Sequence, residues 1–259
     1  MRDDDGMLAL LSDLHSNIRA LDACLAHARS QGATRYAILG DLIGYGAEPV
    51  DVLERVMALA AEGATVLRGN HDELACTPAA AHLNDDLPMD DVAAHWTRTQ
   101  IGPQHRRFIT QLPLSAQLGA SLLVHASADA PTAWHYVDSP QRADLSLKAA
   151  TGREGVRRVF CGHIHRQRLY YRGKDARLME FEPVPGVEIP LPPHREWLAT
   201  IGSVGQPRDG DTRAMYAMFN EEQSRLSFHR VAYDHRAAAQ AVRATGQPAF
   251  FASRLESGR

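Results

Sequence analysis

The chain has 259 residues, is 44% apolar and carries a net charge of −3, so it can bury a large core, and we predict one domain over residues 1–259. Its charges of both signs are interspersed without a basic stripe, which disfavours duplex nucleic acid as a partner. No stretch approaches the ~20 apolar residues of a membrane span, and the acidic start lacks a signal-peptide pattern. The three cysteines are odd in number and widely spaced, which favours a reducing cytoplasm as the location of the protein.

Two strand–loop–helix units and a third strand are predicted at the start of the chain. Apolar runs of strand length occupy residues 7–11, 36–39 and 64–67. A helix capped by Asn17 follows the first run, and a helix from about Glu48 follows the second. Polar residues follow every run, and the carboxyl ends of the strands in an α/β sheet form the edge where ligands bind.

The rest of the chain predicts a helical insertion and then mostly strands. Residues 75–112 have helical spacing, and we expect them to pack over one end of the site. Further strands are predicted at residues 122–125, 157–161, 167–171, 177–182, 196–201, 215–219 and 226–231. Residues 183–193 contain five prolines, which predicts an extended surface connection. Residues 233–245 and 248–255 are predicted as closing helices.

Four polar motifs lie at predicted strand ends: Ser12-Asp13-Leu14-His15, Gly40-Asp41-Leu42-Ile43-Gly44, Gly69-Asn70-His71-Asp72 and Gly162-His163-Ile164-His165. Composition alone predicts Asp-x-His about once in this chain, but Gly-Asn-His-Asp only about 0.001 times. Carboxylate oxygens, imidazole nitrogens and an amide oxygen together suit Mn²⁺, Fe or Zn²⁺. The absence of nearby thiolate pairs argues against a structural zinc cage. The motifs therefore indicate a metal site.

Together with Val124-His125, these motifs resemble the five sequence blocks of the calcineurin-like metallophosphoesterases, in the same order. Residues 202–209 resemble a loop of the bacterial branch that includes YfcE and the diadenosine tetraphosphatase-like proteins. The resemblance spans nearly the whole chain. It implies an α/β fold in which two mixed β-sheets are flanked by helices, a four-layer αββα sandwich.

The resemblance also implies a ligand set for two divalent ions. It assigns to one ion Asp13, His15 and His165. It assigns to the other Asn70, His125 and His163, with Asp41 bridging the two ions. A bridging carboxylate would hold the ions close enough to trap a hydroxide between them, and that hydroxide would attack the phosphate ester. We expect Mn²⁺ or Fe, with Zn²⁺ as the alternative.

Two residues of the third motif are predicted to act on the leaving group. His71 adjoins the ligand Asn70 but is not itself expected on a metal, so it is free to protonate the leaving alkoxide. Asp72 would orient and charge its imidazole. We regard this acid role as a hypothesis.

Candidate substrate-binding residues are Asn17, Tyr45, His135 and Arg208. Asn17 suits either a phosphate contact or the helix cap. For Arg208 the two alternatives are bidentate hydrogen bonding to a substrate phosphate and a side chain that is simply solvated in a polar loop. Tyr45 and His135 are expected to build the pocket walls.

The leading function is a metal-dependent phosphoesterase for a small phosphodiester, phosphomonoester or nucleotide. Leu42-Ile43-Gly44 stands where the Ser/Thr protein phosphatases have Asp-Arg-Gly, which disfavours a protein substrate. The alternative is a non-catalytic metal-binding scaffold of the same fold, such as the retromer subunit. A metallo-β-lactamase-like hydrolase is a third possibility, but its His-x-His-x-Asp-His block is missing. The sequence leaves the oligomeric state open.

Overall fold

The computed structural model describes residues 6–77, 88–173 and 177–259. Its strands are β1 Met7–Leu11, β2 Ala33–Ile38, β3 Thr65–Val66, β4 Ser115–Leu118, β5 Ser121–Val124, β6 Arg158–Cys161, β7 Gln167–Arg172, β8 Leu178–Phe181, β9 Glu188–Pro190, β10 Trp197–Ile201, β11 Ala214–Asn220 and β12 Arg225–Val231. Its α-helices are α1 Ile18–Ser30, α2 Pro49–Ala61, α3 Asn70–Cys76, α4 Met89–Gln100, α5 Pro103–Gln111, α6 Pro140–Thr151, α7 His235–Ala244 and α8 Ala249–Ser257.

The strands form two mixed sheets of six strands each. The first has the order β3-β2-β1-β11-β12-β9 and the second the order β4-β5-β6-β10-β7-β8. Strands β1, β2 and β3 are parallel to one another, as are β5, β6 and β10. In each sheet the parallel strands therefore bring their carboxyl ends to one edge.

Strand β1 is buried on both faces, which explains why its sequence is a continuous apolar run. Leu8 and Leu10 face the core between the two sheets, whereas Ala9 and Leu11 pack with α1 and α2. On the outer face of the second sheet, residues of β5 and β6 pack against α6. The layers are therefore helix, sheet, sheet and helix, which confirms the predicted αββα sandwich.

Most predicted elements are present, with differences at the sheet edges. The proline-rich residues 183–193 are not wholly irregular, because β9 lies within them and pairs with β12 at the sheet edge. Strand β4 and helix α6 were not predicted. Within the predicted insertion, α4 and α5 are helical, and residues 78–87 lie outside the described part. No helix in that part is long and apolar enough to cross a membrane.

Candidate metal centre

Two clusters of buried ligand-type side chains meet at the shared strand-end edge. One comprises Asp13, His15 and His165. The other comprises Asp41, His125 and His163. Within each cluster, one potential ligand atom per residue lies within 4.8 Å of the others. The described structure thus brings together six of the seven predicted ligands, and Asn70 adjoins the second cluster.

Hydrogen bonds to main-chain carbonyls orient both imidazoles of the first cluster. His15 Nδ1 lies 3.2 Å from Ile43 O, and His165 Nδ1 lies 2.6 Å from Gln206 O. Since each Nδ1–H donates to a carbonyl, each Nε2 carries a lone pair directed into the site. The two Nε2 atoms are 3.1 Å apart. Two facing lone pairs repel one another unless a cation lies near both.

Main-chain carbonyls also orient the imidazoles of the second cluster, but His163 donates from its other ring nitrogen. His125 Nδ1 donates to Leu39 O at 2.8 Å, so its Nε2 faces inward, 3.1 Å from Asn70 Oδ1. His163 instead donates from Nε2 to Trp134 O at 2.9 Å, which leaves Nδ1 as its free ligand atom. Both rings are thereby set for metal binding.

One carboxylate oxygen of Asp13 is buried without a hydrogen-bond donor. Its Oδ2 accepts from His163 N at 2.9 Å, whereas its Oδ1 is buried without a hydrogen-bond partner. Oδ1 lies 3.2 Å from His165 Nε2 and 3.9 Å from His15 Nε2. A buried anionic oxygen beside inward lone pairs fits a divalent ion, and the oxygen and nitrogen donors suit Mn²⁺, Fe or Zn²⁺.

Asp41 belongs to the second cluster and also approaches the first. Its Oδ2 is 3.3 Å from His125 Nε2 and 3.8 Å from His15 Nε2. Its Oδ1 accepts from His71 N at 2.9 Å, which fixes the carboxylate. This position is compatible with a bridging ligand.

The charges of the site are strongly coupled. Burial alone would lower the pKa of His125, but the carboxylate of Asp41 raises it to about 9. Burial and the charge of His125 lower the pKa of His163 to about 4. Burial would raise the pKa of Asp41, but His125 holds it well below its usual range. Before a cation binds, the imidazole of His125 is therefore in its positively charged form below about pH 9, beside an ionised Asp41.

His71 belongs to neither cluster. Its ring centroid lies 4.4 Å from that of Tyr45 and 5.1 Å from that of His15. Its buried Nδ1 has no hydrogen-bond partner. The ring therefore lies beside the clusters without belonging to them.

Asp72 makes contacts different from those predicted. Its Oδ1 accepts from Leu42 N at 2.9 Å and Ile43 N at 3.3 Å, and its Oδ2 accepts from Gly69 N at 2.9 Å. The carboxylate therefore fastens two loops of the site to each other. The predicted contact with the His71 ring is not among its described contacts, and Tyr45 packs on that ring instead.

The side-chain amide of Asn17 makes its hydrogen bonds within the protein. Its Oδ1 accepts from Ala20 N at 3.1 Å, which caps α1. Its Nδ2 donates to Gly205 O at 2.9 Å and to Tyr233 Oη at 3.2 Å. The cap alternative holds, and no polar hydrogen of the amide is left for a substrate.

The predicted pocket wall is formed partly by other residues. His135 is exposed, whereas its neighbour Tyr136 stacks on His163 with centroids 4.2 Å apart and planes at 11°. Tyr45 does line the site, with its ring 4.7 Å from that of His15 and its hydroxyl donating to Asp90 at 2.6 Å. The signal for Tyr136 was the aromatic pair that flanks His135.

Arg208 lies at the rim, with its Cζ 5.7 Å from the Tyr45 ring centroid. Its Nη2 donates to Gln206 Oε1 at 2.8 Å. Arg254 of α8 donates to the same oxygen at 3.3 Å. Arg254 was not predicted, because nothing in its spacing links α8 to the motifs.

Comparisons with known proteins agree with this geometry. A model of the calcineurin-like phosphoesterase superfamily domain matches residues 7–224. The uncharacterized protein MJ0912 of Methanocaldococcus jannaschii is 29% identical over 257 residues, which cover 98% of each chain. A metallophosphoesterase structure from Sphaerobacter thermophilus is 30% identical, with 98% and 99% of the chains covered and a TM-score of 0.84. The structure of the hypothetical protein PH1004 from Pyrococcus horikoshii has a TM-score of 0.74 at 18% identity, with 98% of each chain covered.

Proposed function

The chain belongs to the calcineurin-like phosphoesterase superfamily, and on this premise we propose that it is a binuclear metallophosphoesterase. Its substrate is a small phosphodiester, phosphomonoester or nucleotide. The observation that carries the proposal is the pair of adjoining ligand clusters, in which every imidazole is turned by a main-chain carbonyl so that its free nitrogen faces the site.

We assign the two ion sites as follows. One is held by Asp13, His15 and His165. The other is held by Asn70, His125 and His163, and Asp41 is shared. Two divalent ions bound there supply charge compensation for the phosphate and an activated water. We expect Mn²⁺ or Fe, with Zn²⁺ as the alternative, because the donors are nitrogen and oxygen atoms.

The other residues of the site orient the reaction and move a proton. His71 holds a proton for the leaving oxygen, because its ring lies 5.1 Å from that of His15 and belongs to neither ligand cluster. Tyr45 keeps that ring in place by packing against it. Tyr136 covers His163 on the opposite cluster and shields its ring from water.

A small substrate agrees with the surroundings of the clusters. Aromatic rings flank the ligands on two sides, with Tyr45 beside His15 and Tyr136 stacked on His163. The net charge of −3 gives no general attraction for a nucleic-acid polymer. Leu42 and Ile43 provide no guanidinium for the phosphate of a phosphoprotein, and both are fully buried.

The proposal is tested by a substrate panel on protein reconstituted with Mn²⁺, Fe²⁺ or Zn²⁺. The panel contains bis-nitrophenyl phosphate, nitrophenyl phosphate, cyclic nucleotides and dinucleoside polyphosphates. We expect turnover by the wild type, bound metal near two ions per chain, and loss of both in Asp41→Asn. The matched control is Asp51→Asn, the same change at an exposed residue of α2.

The scaffold alternative predicts a different result. Two ions per chain with no turnover on any substrate would favour a non-catalytic metal-binding scaffold. Turnover that survives in Asp41→Asn with its metal lost would refute the binuclear mechanism.

A further inference from the structure

Two guanidinium groups at the rim of the site share one neutral oxygen. Gln206 Oε1 accepts from Arg208 Nε at 3.2 Å, from Arg208 Nη2 at 2.8 Å and from Arg254 Nη1 at 3.3 Å. Gln206 itself is only 1% exposed. A buried amide therefore holds two positive charges close together.

Neither of these charges has a carboxylate partner. Within residues 6–77, 88–173 and 177–259, Arg208 and Arg254 form no ion pair, whereas nearby Arg230 pairs with Asp209 at 3.1 Å. Burial, and after it the charge of Arg208, lowers the pKa of Arg254. Two like charges on one neutral acceptor repel each other, and an anion between them would relieve the repulsion.

The same glutamine connects the arginines to the proposed metal ligands. Its main-chain oxygen accepts from His165 Nδ1 at 2.6 Å. Arg208 also lies over the ring of Tyr45, which in turn packs against His15. The arginine pair is thus a fixed neighbour of the first cluster without belonging to it.

The C-terminal helix α8 builds one half of this arrangement. Phe251 is buried and packs on Tyr45 with centroids 5.2 Å apart, which anchors α8 to the site wall. Arg254 lies one turn further along, with its Cζ 4.4 Å from the ring centroid of Phe250. Helix α8 lies outside residues 7–224, which the superfamily domain matches.

A cleft extends from Arg208 along the second sheet. Its volume is about 300 Å³, and its lining includes Tyr136, Arg166 and Arg208. Arg166 donates to Arg208 O at 3.2 Å, so a third guanidinium is tied to the same loop. The cleft provides space for a group beyond the phosphate that is bound at the clusters.

We propose that Arg208 and Arg254 form a subsite for a second phosphoryl group, so that the enzyme prefers substrates in which another phosphoryl group adjoins the scissile one. Guanidinium groups suit phosphate oxygens because their planar donors bind two oxygens at once. The inference rests on the proposed function, since the first phosphoryl group must lie at the metal clusters.

The test compares two non-hydrolysable anions by isothermal titration into Mn²⁺-loaded protein. Methylphosphonate carries one phosphoryl group, and methylenediphosphonate carries two. The free Mn²⁺ concentration is kept equal in cell and syringe, and the ion content of the protein is measured afterwards, because diphosphonates chelate metals. The variants are Arg254→Gln and Arg208→Gln. The matched control is Arg236→Gln, an exposed residue of α7.

We expect the wild type to bind methylenediphosphonate more tightly than methylphosphonate. Loss of a charge-assisted contact in Arg254→Gln should weaken the diphosphonate by about ten-fold or more and leave methylphosphonate nearly unchanged. Arg208→Gln should behave in the same way, and Arg236→Gln should match the wild type.

Two results would overturn the subsite. Equal weakening of both anions would mean that the arginines hold the same phosphoryl group as the metals. Unchanged binding of both, in variants with wild-type melting temperature, would mean that the guanidinium groups are merely solvated. Because binding is measured without turnover, a failed substrate panel with an intact diphosphonate preference would reject the proposed function and not the subsite.

Discussion

His71 is the residue whose proposed role is most open to a chemical test. A general acid matters when the leaving group is a poor one and matters little when it is a nitrophenolate. We predict that His71→Gln lowers kcat by about 10²- to 10⁴-fold on a nucleotide ester, and much less on bis-nitrophenyl phosphate. Steady-state kinetics on both substrates provides the measurement.

The metal content of the His71→Gln variant serves as the internal control. His71 belongs to neither ligand cluster, so the variant should retain both ions. Equal losses of kcat on the two substrates, with full metal content, would contradict the acid role and indicate that His71 only positions its neighbours.

At the scale of single residues, the sequence predicted which residues lie in the site better than it predicted their hydrogen-bond partners. The motifs identified six cluster residues that the described structure brings together. The partner of Asp72 was mistaken, because its acceptors face amides of a loop about 30 residues earlier, whose approach depends on the whole fold. Arg254 was missed for the same reason, since it meets Gln206 across 48 residues of chain.

The loops that follow the strands are held in an unusual backbone conformation. Positive φ angles between 45° and 69° occur at Asp13, His15, Asp41, His163 and His165. For residues other than glycine, a left-handed conformation costs on the order of 1–3 kcal/mol and persists only where the surroundings enforce it. These loops therefore hold the ligand side chains in place as part of the fold.

The close approach of two such loops gives a prediction at the scale of elements. A Cβ added to Gly69 would lie 2.8 Å from Asp41 Cγ, and it would contact Asp41 Oδ1 and N even more closely. Gly69 has φ −103°, so backbone strain is not the obstacle. We predict that Gly69→Ala displaces Asp41 and lowers the bound metal below one ion per chain, as measured by elemental analysis.

Gly152→Ala is the matched control for this change. Gly152 also has a negative φ, and an added Cβ would meet its nearest atoms at 3.6 Å, an ordinary contact distance. The control should keep its full metal content. A Gly69→Ala variant with two ions and normal turnover would show that the loops separate easily.

The helix and strands that the sequence did not predict have weak apolar patterns, because they bury few large side chains or are very short. Helix α6 buries mainly small residues, Ala143, Ser146 and Ala150 besides Leu147, so its apolar stripe is faint. Strand β4 is a four-residue edge strand without a fully buried side chain, and β9 has three residues. The central strands were predictable because burial on both faces makes them continuous apolar runs.

At the scale of the whole molecule, the site joins the two sheets. Asp13 follows β1 of the first sheet, and its carboxylate accepts from the amide of His163, which follows β6 of the second. His125 follows β5 of the second sheet and donates to Leu39, which follows β2 of the first. A cation bound by both sides must therefore stabilise the packing of one sheet on the other.

This linkage predicts that metal raises the melting temperature, and more so as the pH rises. The pKa of His125 is raised from 6.5 to about 9, so the metal-free fold gains stability from its proton below pH 6.5 and loses that gain as the pH rises through about 9. A binding cation must displace the same proton, so its affinity should rise about ten-fold per pH unit between pH 7 and pH 8.

An ion at a hundred times its Kd contributes about 2.7 kcal/mol, which corresponds to a rise in Tm on the order of 5–10 °C for a chain of this size. Thermal melts with Mn²⁺ and with a chelator, at pH 6.5 and pH 8.5, should show the larger difference at pH 8.5. In Asp41→Asn the difference should vanish at both pH values, whereas Asp51→Asn should retain it. A difference in Tm that is independent of pH would mean that His125 carries no proton for the metal to displace.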